Sequence, residues 1–348
     1  MTAGADMPDA ARVMAEYNGA KIASGRSCDL AAGGLSILIN SHNRPGPLAI
    51  VMEALDGWTG PLLVVDDSDD ADAIKRVVGD RGQVVRVNAP AMVKVAEGLR
   101  MVETEFVHPL CDDDIPNPAA FLAQRDFLLA NPGHVLCMGR RAYAGIRGGR
   151  YDAWCEFQGA PGHLECDGAP DRMRRLMTGW VETYFGVHRA ATARRAFSAA
   201  SRVDPKGWFL GERLAGLLLM LCGKASLLDV PSLVKSAHGG SISATLTDHR
   251  RTFLAPDFSR QYGAFAAILA AQGVLESTVD SLMADHLAYW YLPVQRHPMK
   301  EAALAAHRAS VSCYKDGMSE ADAATYSRME AMSKRMLAAL GEPTKVAA

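Results

Sequence analysis

Three consecutive aspartates, Asp112, Asp113 and Asp114, are the residues of this chain whose spacing most directly indicates chemistry. Adjacent carboxylates repel one another, and a divalent cation would neutralise them. Hard oxygen ligands suit Mg²⁺ or Mn²⁺, and either ion can stabilise a diphosphate as a leaving group. A solvated acidic turn, with Asp114 capping a following helix, would give the same pattern. The position of the triplet after the apolar run FVHPL favours the metal site.

Two further polar clusters also follow apolar runs. Asp66 and Asp67 end the run PLLVV, where a carboxylate could accept hydrogen bonds from a base or a ribose, or could cap a helix. Asn40, His42 and Arg44 belong to the loop NSHNR after LSILI, which could hold a base and a phosphate or be an ordinary polar turn. The loop lacks GxGxxG and GxxxxGK[ST], and this argues against dinucleotide oxidoreductases and P-loop enzymes.

Two later residues could also take part in chemistry. Glu212 opens an apolar helical stretch, so its pKa could be raised and it could act as a general base. An acidic residue is also favourable in any first helical turn, and from the residues alone this second interpretation is favoured. His238 lies in the loop KSAHGGS, where it could bind a metal or a phosphate or simply be an exposed polar side chain.

The elements that must position these residues alternate along the chain. The predicted strands cover residues 35–40, 61–65, 83–87 and 106–110, and the predicted helices cover 48–55, 70–78, 91–101 and 118–130. Strands and helices that alternate in this way favour βαβ units and a parallel sheet. Ligands of such sheets bind outside the carboxyl ends of the strands, and the three polar clusters all lie there.

The rest of the chain is predicted from its pattern as follows. Strands are expected at 134–138, 181–187 and 225–230, an irregular segment of loops and short strands at 139–171, an apolar helix at 209–222, a polar loop at 234–243, and helices from 253 to the end. We therefore expect three parts, which are an N-terminal helical appendage at 1–34, an α/β domain at 35–246 and an α-helical C-terminal region at 247–348.

The composition limits the class of protein. The 348 residues are 49% hydrophobic and carry a net charge of −2, which indicates a globular protein and argues against a nucleic-acid partner. The seven cysteines form no CxxC pair, the N-terminus has no apolar signal region, and the longest strongly apolar run is too short for a bilayer. We expect a cytoplasmic location, and peripheral membrane association and a homodimer both stay open.

Six segments, taken in order, resemble the family 2 glycosyltransferases with a GT-A fold, in particular a bacterial subgroup. The segments are LSILINSHNR, LLVVDDSDD, LCDDDIPNP, YFGVHR, WFLGERLAGLLLMLCGKASLLD and KSAHGGS, and the match covers roughly residues 35–243. The resemblance implies a GT-A-like, Rossmann-type α/β sheet flanked by helices. It also implies metal-dependent transfer of a sugar from a nucleotide-diphosphate sugar to a hydroxyl acceptor, with inversion.

The resemblance assigns roles residue by residue. Asn40, His42 and Asp67 would border the base and ribose, and Lys94 would reach the donor phosphates or sugar. The full set assigned to the nucleotide-sugar is Asn40, His42, Arg44, Asp66, Asp67, Lys94, Asp112 and Asp113. Asp112, Asp114 and His238 would hold Mn²⁺ or Mg²⁺, and Glu212 would be the catalytic base.

Two departures from the family pattern affect these roles. If Asp113 and Asp114 match the last two acids of a DxDD motif, Cys111 replaces the first acid. The family commonly has a second acid after the residue at Glu212, whereas Arg213 follows it here.

Two other functions stay open on the sequence. A nucleotidyltransferase acting on sugar phosphates would share the α/β layout and the acidic ligands, although SHNRPGP is a poor version of its Gly-rich basic loop. A non-catalytic scaffold that binds nucleotide-sugars would explain the missing second acid. The donor base, the sugar and the acceptor, which could be a glycan, a lipid-linked molecule or a protein, are not specified by the residues.

Overall fold

The computed structural model describes residues 34–147, 150–155, 162–178, 181–204, 209–238, 258–295 and 320–341. The predicted N-terminal appendage at 1–34 lies almost entirely outside the described residues. The junction predicted between residues 246 and 247 also lies outside them.

Within the described residues, nine strands form one mixed sheet. The strands are β1 (Leu35–Ser41), β2 (Leu62–Asp66), β3 (Gln83–Arg86), β4 (Phe106–Cys111), β5 (Ile115–Pro116), β6 (His134–Arg147), β7 (Arg150–Cys155), β8 (Val187–Arg189) and β9 (Lys224–Ala237). Their order is β3-β2-β1-β4-β8-β6-β9-β5, and β7 pairs with β6 as a hairpin. The first four strands in this order run parallel to one another, and β8 is antiparallel to both of its neighbours.

Helices cover this sheet. They are α1 (Pro45–Ala54), α2 (Ala71–Val78), α3 (Ala91–Met101), α4 (Pro118–Ala130), α5 (Ala169–Thr178), α6 (Ala190–Val203), α7 (Phe209–Cys222), α8 (Phe258–Ala271), α9 (Glu276–Gln295) and α10 (Glu320–Ala339). The predicted bounds of α3, α4 and α7 are confirmed, and α2 begins one residue later than expected because Asp70 caps it by accepting from the amide of Ala73 at 2.9 Å.

The parallel part of the sheet forms because its strands are apolar on both faces. Leu35, Ile37, Leu38 and Ile39 of β1 are completely buried, as expected for a strand with helices on both sides. Gly98 allows α3 to approach this part closely, since a Cβ there would lie 2.5 Å from a methyl group of Leu38. The strands predicted at 35–40, 61–65, 83–87 and 106–110 are confirmed to within one residue at each end.

The strand predicted at 181–187 is wrong. The only described strand in this part is the three-residue β8, which lies between β4 and β6. Arg141 explains the difference, because its Nη1 donates to the carbonyl oxygens of Glu182 at 2.8 Å and Phe185 at 3.3 Å. A buried side chain therefore satisfies carbonyl groups that a longer strand would have paired in the sheet.

The predictions of irregular structure at 139–171 and of a polar loop at 234–243 are also wrong in part. Strand β6 continues to Arg147 and β9 continues to Ala237, because the two strands pair in parallel along most of their length. Register shifts on either side of Arg140 let β9 pass through Pro231, a residue that sheets tolerate at irregularities. The sequence hides this pairing because its partners are nearly a hundred residues apart.

The described C-terminal residues are helical and pack onto the sheet domain. Arg335 of α10 forms two hydrogen bonds of 2.7 Å with the carboxylate of Glu53 in α1. The hydroxyl groups of Tyr151 and Ser333 lie 3.0 Å apart. None of the helices that the structure describes is both long and apolar enough to cross a membrane.

Candidate functional site

The three polar clusters meet at one edge of the sheet. Strand β1 pairs with β2 on one side and with β4 on the other, so Ser41 is level with Asp66, and Asn40 is level with Cys111. The loops that follow these three strands therefore begin side by side, as the switch-point rule predicts.

The loop after β1 is clasped to the loop after β2. The amide of Asn43 donates to the hydroxyl of Ser68 at 2.7 Å, and Asn43 exchanges hydrogen bonds of 3.1 and 2.8 Å with Asp69. Ser68 in turn donates to Asp66, which is 1% exposed. Asp66 thus supports the loop from below instead of facing the edge of the site. Asn43 adopts a φ of 53°, a conformation that Asn tolerates better than most residues.

His42, Asp67 and Lys94 form one hydrogen-bonded group. Nδ1 of His42 donates to Asp67 at 2.9 Å, and Nζ of Lys94 donates to the same carboxylate oxygen and, at 2.7 Å, to the carbonyl of Ser41. Lys94 is 2% exposed, so its ammonium group fastens the end of β1, whereas the exposed His42 and the partly exposed Asp67 form an open rim. Nearby, Oδ1 of Asn40 is buried without a hydrogen-bond partner among the described residues.

Asp112 is enclosed by the loop after β1. Its Oδ2 accepts from the hydroxyl of Ser41 and from the amide of His42, both at 3.0 Å, and its Oδ1 accepts from Arg44 at 3.2 Å. Burial, and then the charge of Asp113, raise the pKa of Asp112 to about 6 against the opposing effect of Arg44. Both oxygens of Asp112 thus accept hydrogen bonds from the loop after β1, and the ligand role that the sequence predicts for it stays a prediction.

Asp113 joins three loops. Its Oδ2 accepts from Arg44 after β1 and, at 2.8 Å, from Nε2 of His238 after β9. Burial lowers the pKa of Arg44, but the charges of Asp113 and Asp112 outweigh this effect and raise it. His238 therefore contacts the acidic turn through Asp113, and its predicted role as a metal ligand together with Asp112 and Asp114 stays a prediction.

Asp114 and Cys111 complete the acidic turn. Asp114 accepts from the amide of Ser236 at 3.0 Å, and burial followed by the charge of Asp113 raises its pKa. Sγ of Cys111 and a carboxylate oxygen each of Asp113 and Asp114 all lie within 4.8 Å of one another. Within the described parts of the chain, this is the group of His, Cys, Asp and Glu side chains that could surround a metal ion. Its two carboxylates fit Mg²⁺ or Mn²⁺.

A second group of charges, which the sequence analysis missed, lies beside this turn. Nζ of Lys235 donates to Glu182 and, at 2.9 Å, to the hydroxyl of Tyr143, and it lies 4.3 Å from the centre of the Phe185 ring. Although burial opposes it, Lys235 and then Arg141 lower the pKa of Glu182. The signal was present, since Lys235 opens KSAHGGS and Glu182 precedes YFGVHR, but their proximity depends on the pairing of β6 with β9.

Glu212 lies in the first turn of α7, and the charges of Glu182 and Lys235 in this second group act on it. It is 6% exposed, and its carboxylate has no hydrogen-bond donor among the described residues. Burial, and then the charge of Glu182, raise the pKa of Glu212 to about 8, while Arg213 and Lys235 oppose the rise. Glu182 and Lys235 also influence Asp114, so they connect Glu212 electrostatically with the acidic turn.

The fold is a GT-A-like glycosyltransferase fold. It is similar to a crystal structure of TarS of S. aureus, a glycosyltransferase, with 13% identity and a TM-score of 0.51 over 73% of this chain and 43% of that chain. It is also similar to TarS 1–349 in complex with UDP-GlcNAc, with 16% identity and a TM-score of 0.52 over 73% of this chain and 72% of that chain. The chain thus spans less than half of the longer TarS chain. At these identities the likeness concerns the fold alone, and the family 2 assignment stays a prediction.

No protein-family model matches the chain, and no curated protein matches its sequence.

Proposed function

We propose that this protein is a glycosyltransferase that moves a sugar from a nucleotide diphospho-sugar to a hydroxyl acceptor. The observation that carries this proposal is the buried Glu212 carboxylate, which has no hydrogen-bond donor among the described residues. The charges of Glu182 and Lys235 act on both Glu212 and Asp114. A buried carboxylate that could act as a base, and an acidic turn that could hold the diphosphate end, suit this transfer in a GT-A-like fold. The similarity to a structure that holds UDP-GlcNAc supports a nucleotide-sugar donor.

The donor nucleotide is proposed to lie along the ends of β1 and β2. His42 and Asp67 are accessible there, and a carboxylate at this place can accept hydrogen bonds from ribose hydroxyl groups or from a base. The buried Oδ1 of Asn40 offers a further acceptor. Asp66 and Lys94 act from behind by fixing the two loops.

The diphosphate is proposed to lie at the acidic turn, together with Mg²⁺ or Mn²⁺ held by Asp113 and Asp114. When bound, the ion supplies positive charge that stabilises the departing diphosphate. Arg44 already contacts Asp112 and Asp113, so its guanidinium is close enough to add a second positive charge at the same place. Asp112 keeps the loop after β1 in position through Ser41 and His42.

Glu212 is proposed to take the proton of the acceptor hydroxyl as that oxygen attacks the sugar. A single displacement of this kind inverts the anomeric configuration. A base whose pKa is near the working pH is effective in proton transfer. The acceptor is a hydroxyl of a glycan, a lipid-linked molecule or a protein. A cytoplasmic location, with a peripheral membrane contact and a homodimer, belongs to the same proposal.

A thermal-shift screen of nucleoside diphosphates and nucleotide-sugars, with and without Mn²⁺, tests the donor site. A ligand that binds the folded state raises the melting temperature by mass action. We expect a metal-dependent rise with one class of nucleotide, lost in Asp114→Asn and kept in the surface control Glu97→Gln. No rise with any nucleotide in folded protein would remove the donor site from the proposal.

A further inference from the structure

We propose that Cys111 is a ligand of the metal ion at the acidic turn, so that this site also binds a thiophilic divalent cation such as Zn²⁺ or Co²⁺. The role of the ion in this inference rests on the proposed function, whereas its ligands are inferred from the geometry of the site. It concerns the residue that takes the place of the first acid if Asp113 and Asp114 match the last two acids of the DxDD motif.

The positions of the three candidate ligands support this assignment. Cys111 is the last residue of β4, and the turn that follows brings Asp113 and Asp114 back beside it, so that all three ligand atoms lie within 4.8 Å of one another. Ligand atoms around a tetrahedral ion with bonds of about 2.0 Å to oxygen and about 2.3 Å to sulfur are roughly 3.5 Å apart. Side-chain rotations that move the ligand atoms by about an ångström would therefore close this group around an ion.

Both carboxylates keep an oxygen for an ion. Oδ2 of Asp113 accepts from Arg44 and His238, and Oδ1 of Asp114 accepts from the amide of Ser236. The other oxygen of each has no hydrogen-bond partner among the described residues. Asp114 also forms no ion pair with a described Arg or Lys side chain, although the positive charge of Lys235 acts on it.

Ser236 supplies an independent observation that points to a ligand at this turn. Its hydroxyl oxygen is buried without a hydrogen-bond partner among the described residues, in a side chain that is only 7% exposed. The amide of the same residue binds Asp114, so this unsatisfied hydroxyl belongs to a residue in contact with the cluster. Buried polar groups are rarely left unpaired, and a water molecule on a bound ion would give this hydroxyl its partner.

The donor set determines which ions the site would accept. Carboxylates alone suit Mg²⁺ and Mn²⁺, whereas a thiolate favours zinc and similar ions. When Cys111 coordinates, the metal–sulfur bond replaces the S–H bond and the proton passes to the solvent. One sulfur and two oxygens thus make a mixed site, open to water or phosphate at its other positions.

A Co²⁺ titration of the metal-free full chain, followed by absorption, tests the inference. A thiolate bound to Co²⁺ gives a charge-transfer band in the near ultraviolet that oxygen ligands do not give. We expect this band to saturate at one equivalent in the wild type, to vanish in Cys111→Ser, and to persist in Cys137→Ser, which changes a buried cysteine of β6. We also expect Cys111→Ser to weaken Zn²⁺ binding by more than about tenfold, the loss that even outer-shell changes cause.

A second variant guards against misfolding. Cys111→Asp restores the acid of the family pattern, so it should bind Co²⁺ without the band and should bind Mn²⁺ at least as tightly as the wild type does. An equal band in the wild type and in folded Cys111→Ser, or Co²⁺ binding to the wild type without any band, would overturn the proposal. Because the titration needs no donor or acceptor, its failure leaves the proposed transfer intact, and a failure of the transfer leaves the titration interpretable.

Discussion

Arg213 donates a hydrogen bond from Nε to Nε2 of His286, with 2.7 Å between the two nitrogens. A guanidinium group only donates, so Nε2 of His286 must accept and Nδ1 carries the proton that binds the carbonyl of Met177 at 2.8 Å. Arg213 also lies 3.7 Å from the centre of the Phe209 ring. Where the resembling family commonly has a second acid after Glu212, this chain therefore has a buried anchor for a C-terminal helix.

The anchor predicts a stability effect. His286→Ala would leave the buried Nε of Arg213 without the acceptor that it has in the wild type, and the free energy of unfolding should fall by about 1–3 kcal/mol. His286→Gln keeps an acceptor oxygen and should recover part of this loss. Denaturant unfolding of the variants measures the change, with His163→Ala as the control because the hydrogen bond of His163 is exposed. Equal stability of His286→Ala and the wild type would show that the anchor contributes nothing.

The environment of Glu212 predicts the pH dependence of the transfer. A base acts in its ionised form, and burial and Glu182 raise the pKa of Glu212 to about 8. We expect kcat/KM to increase with pH up to about 8 and then to level off. Glu182→Gln removes the like charge and frees Lys235 to act on Glu212, so the inflection should move to lower pH. An inflection that stays in place in this variant would contradict the proposed coupling.

The same carboxylate predicts a pH-dependent stability that needs no substrate. The pKa of Glu212 is raised in the folded protein, so its protonated form favours folding. Its contribution to the free energy of unfolding is therefore complete below about pH 4.5 and is lost as the pH rises towards about 8. The loss at alkaline pH has an upper limit of about 5 kcal/mol for a shift of this size. Glu212→Gln should therefore become more stable than the wild type as the pH rises. Urea unfolding at several pH values measures the free energy of unfolding of both proteins. Parallel curves of this free energy between pH 5 and 8 would refute the prediction.

Asp112 and Asp114 are predicted to respond differently to the same substitution. Asp112 accepts from Ser41, His42 and Arg44, so Asp112→Asn should lower the free energy of unfolding by about 1–3 kcal/mol. Among the described residues, Asp114 accepts a hydrogen bond on one oxygen only, and the amide oxygen of Asn can accept it as well, so Asp114→Asn should not destabilise the metal-free protein. Thermal unfolding with and without Mn²⁺ separates the roles, because only Asp114→Asn should lose the metal effect while keeping wild-type stability. Equal destabilisation by both substitutions would contradict the division of roles.

The sequence was sufficient for the parts of the fold that local pattern determines. Strands β1, β2 and β4 are apolar runs that end in polar residues, so both the strands and the meeting of their clusters at one edge were predictable. The roles of Asp112 and Lys94 were not, because neighbouring acids look alike until the loop after β1 closes over one of them. Hydrogen-bond partners such as Ser41 and Asp67 can be identified only in three dimensions.

Contacts between distant segments account for what the sequence analysis missed. Glu182 and Lys235 meet across β6, because Lys235 of β9 pairs with Tyr143 of β6 while Arg141 of β6 binds the carbonyl of Glu182. His286 reaches Arg213 from a helix 73 residues further along the chain, and nothing in its own helix marks it as a partner. A distant contact also explains the strand wrongly predicted at 181–187. Arg141 binds carbonyl groups of this segment that would have paired with a neighbouring strand in the predicted sheet.

The release of nucleoside diphosphate from nucleotide-sugars, measured with Mn²⁺ in the wild type and in Glu212→Gln, tests the central claim most directly. The account predicts slow hydrolysis of one donor by the wild type and a loss of at least about a hundredfold in Glu212→Gln, in line with the contribution of a general base, while Glu97→Gln behaves as the wild type does. Release of pyrophosphate from a nucleoside triphosphate and a sugar phosphate would identify a nucleotidyltransferase instead. Tight binding of a donor without any turnover, with acceptors of all three classes present, would contradict the claim and leave a binding protein.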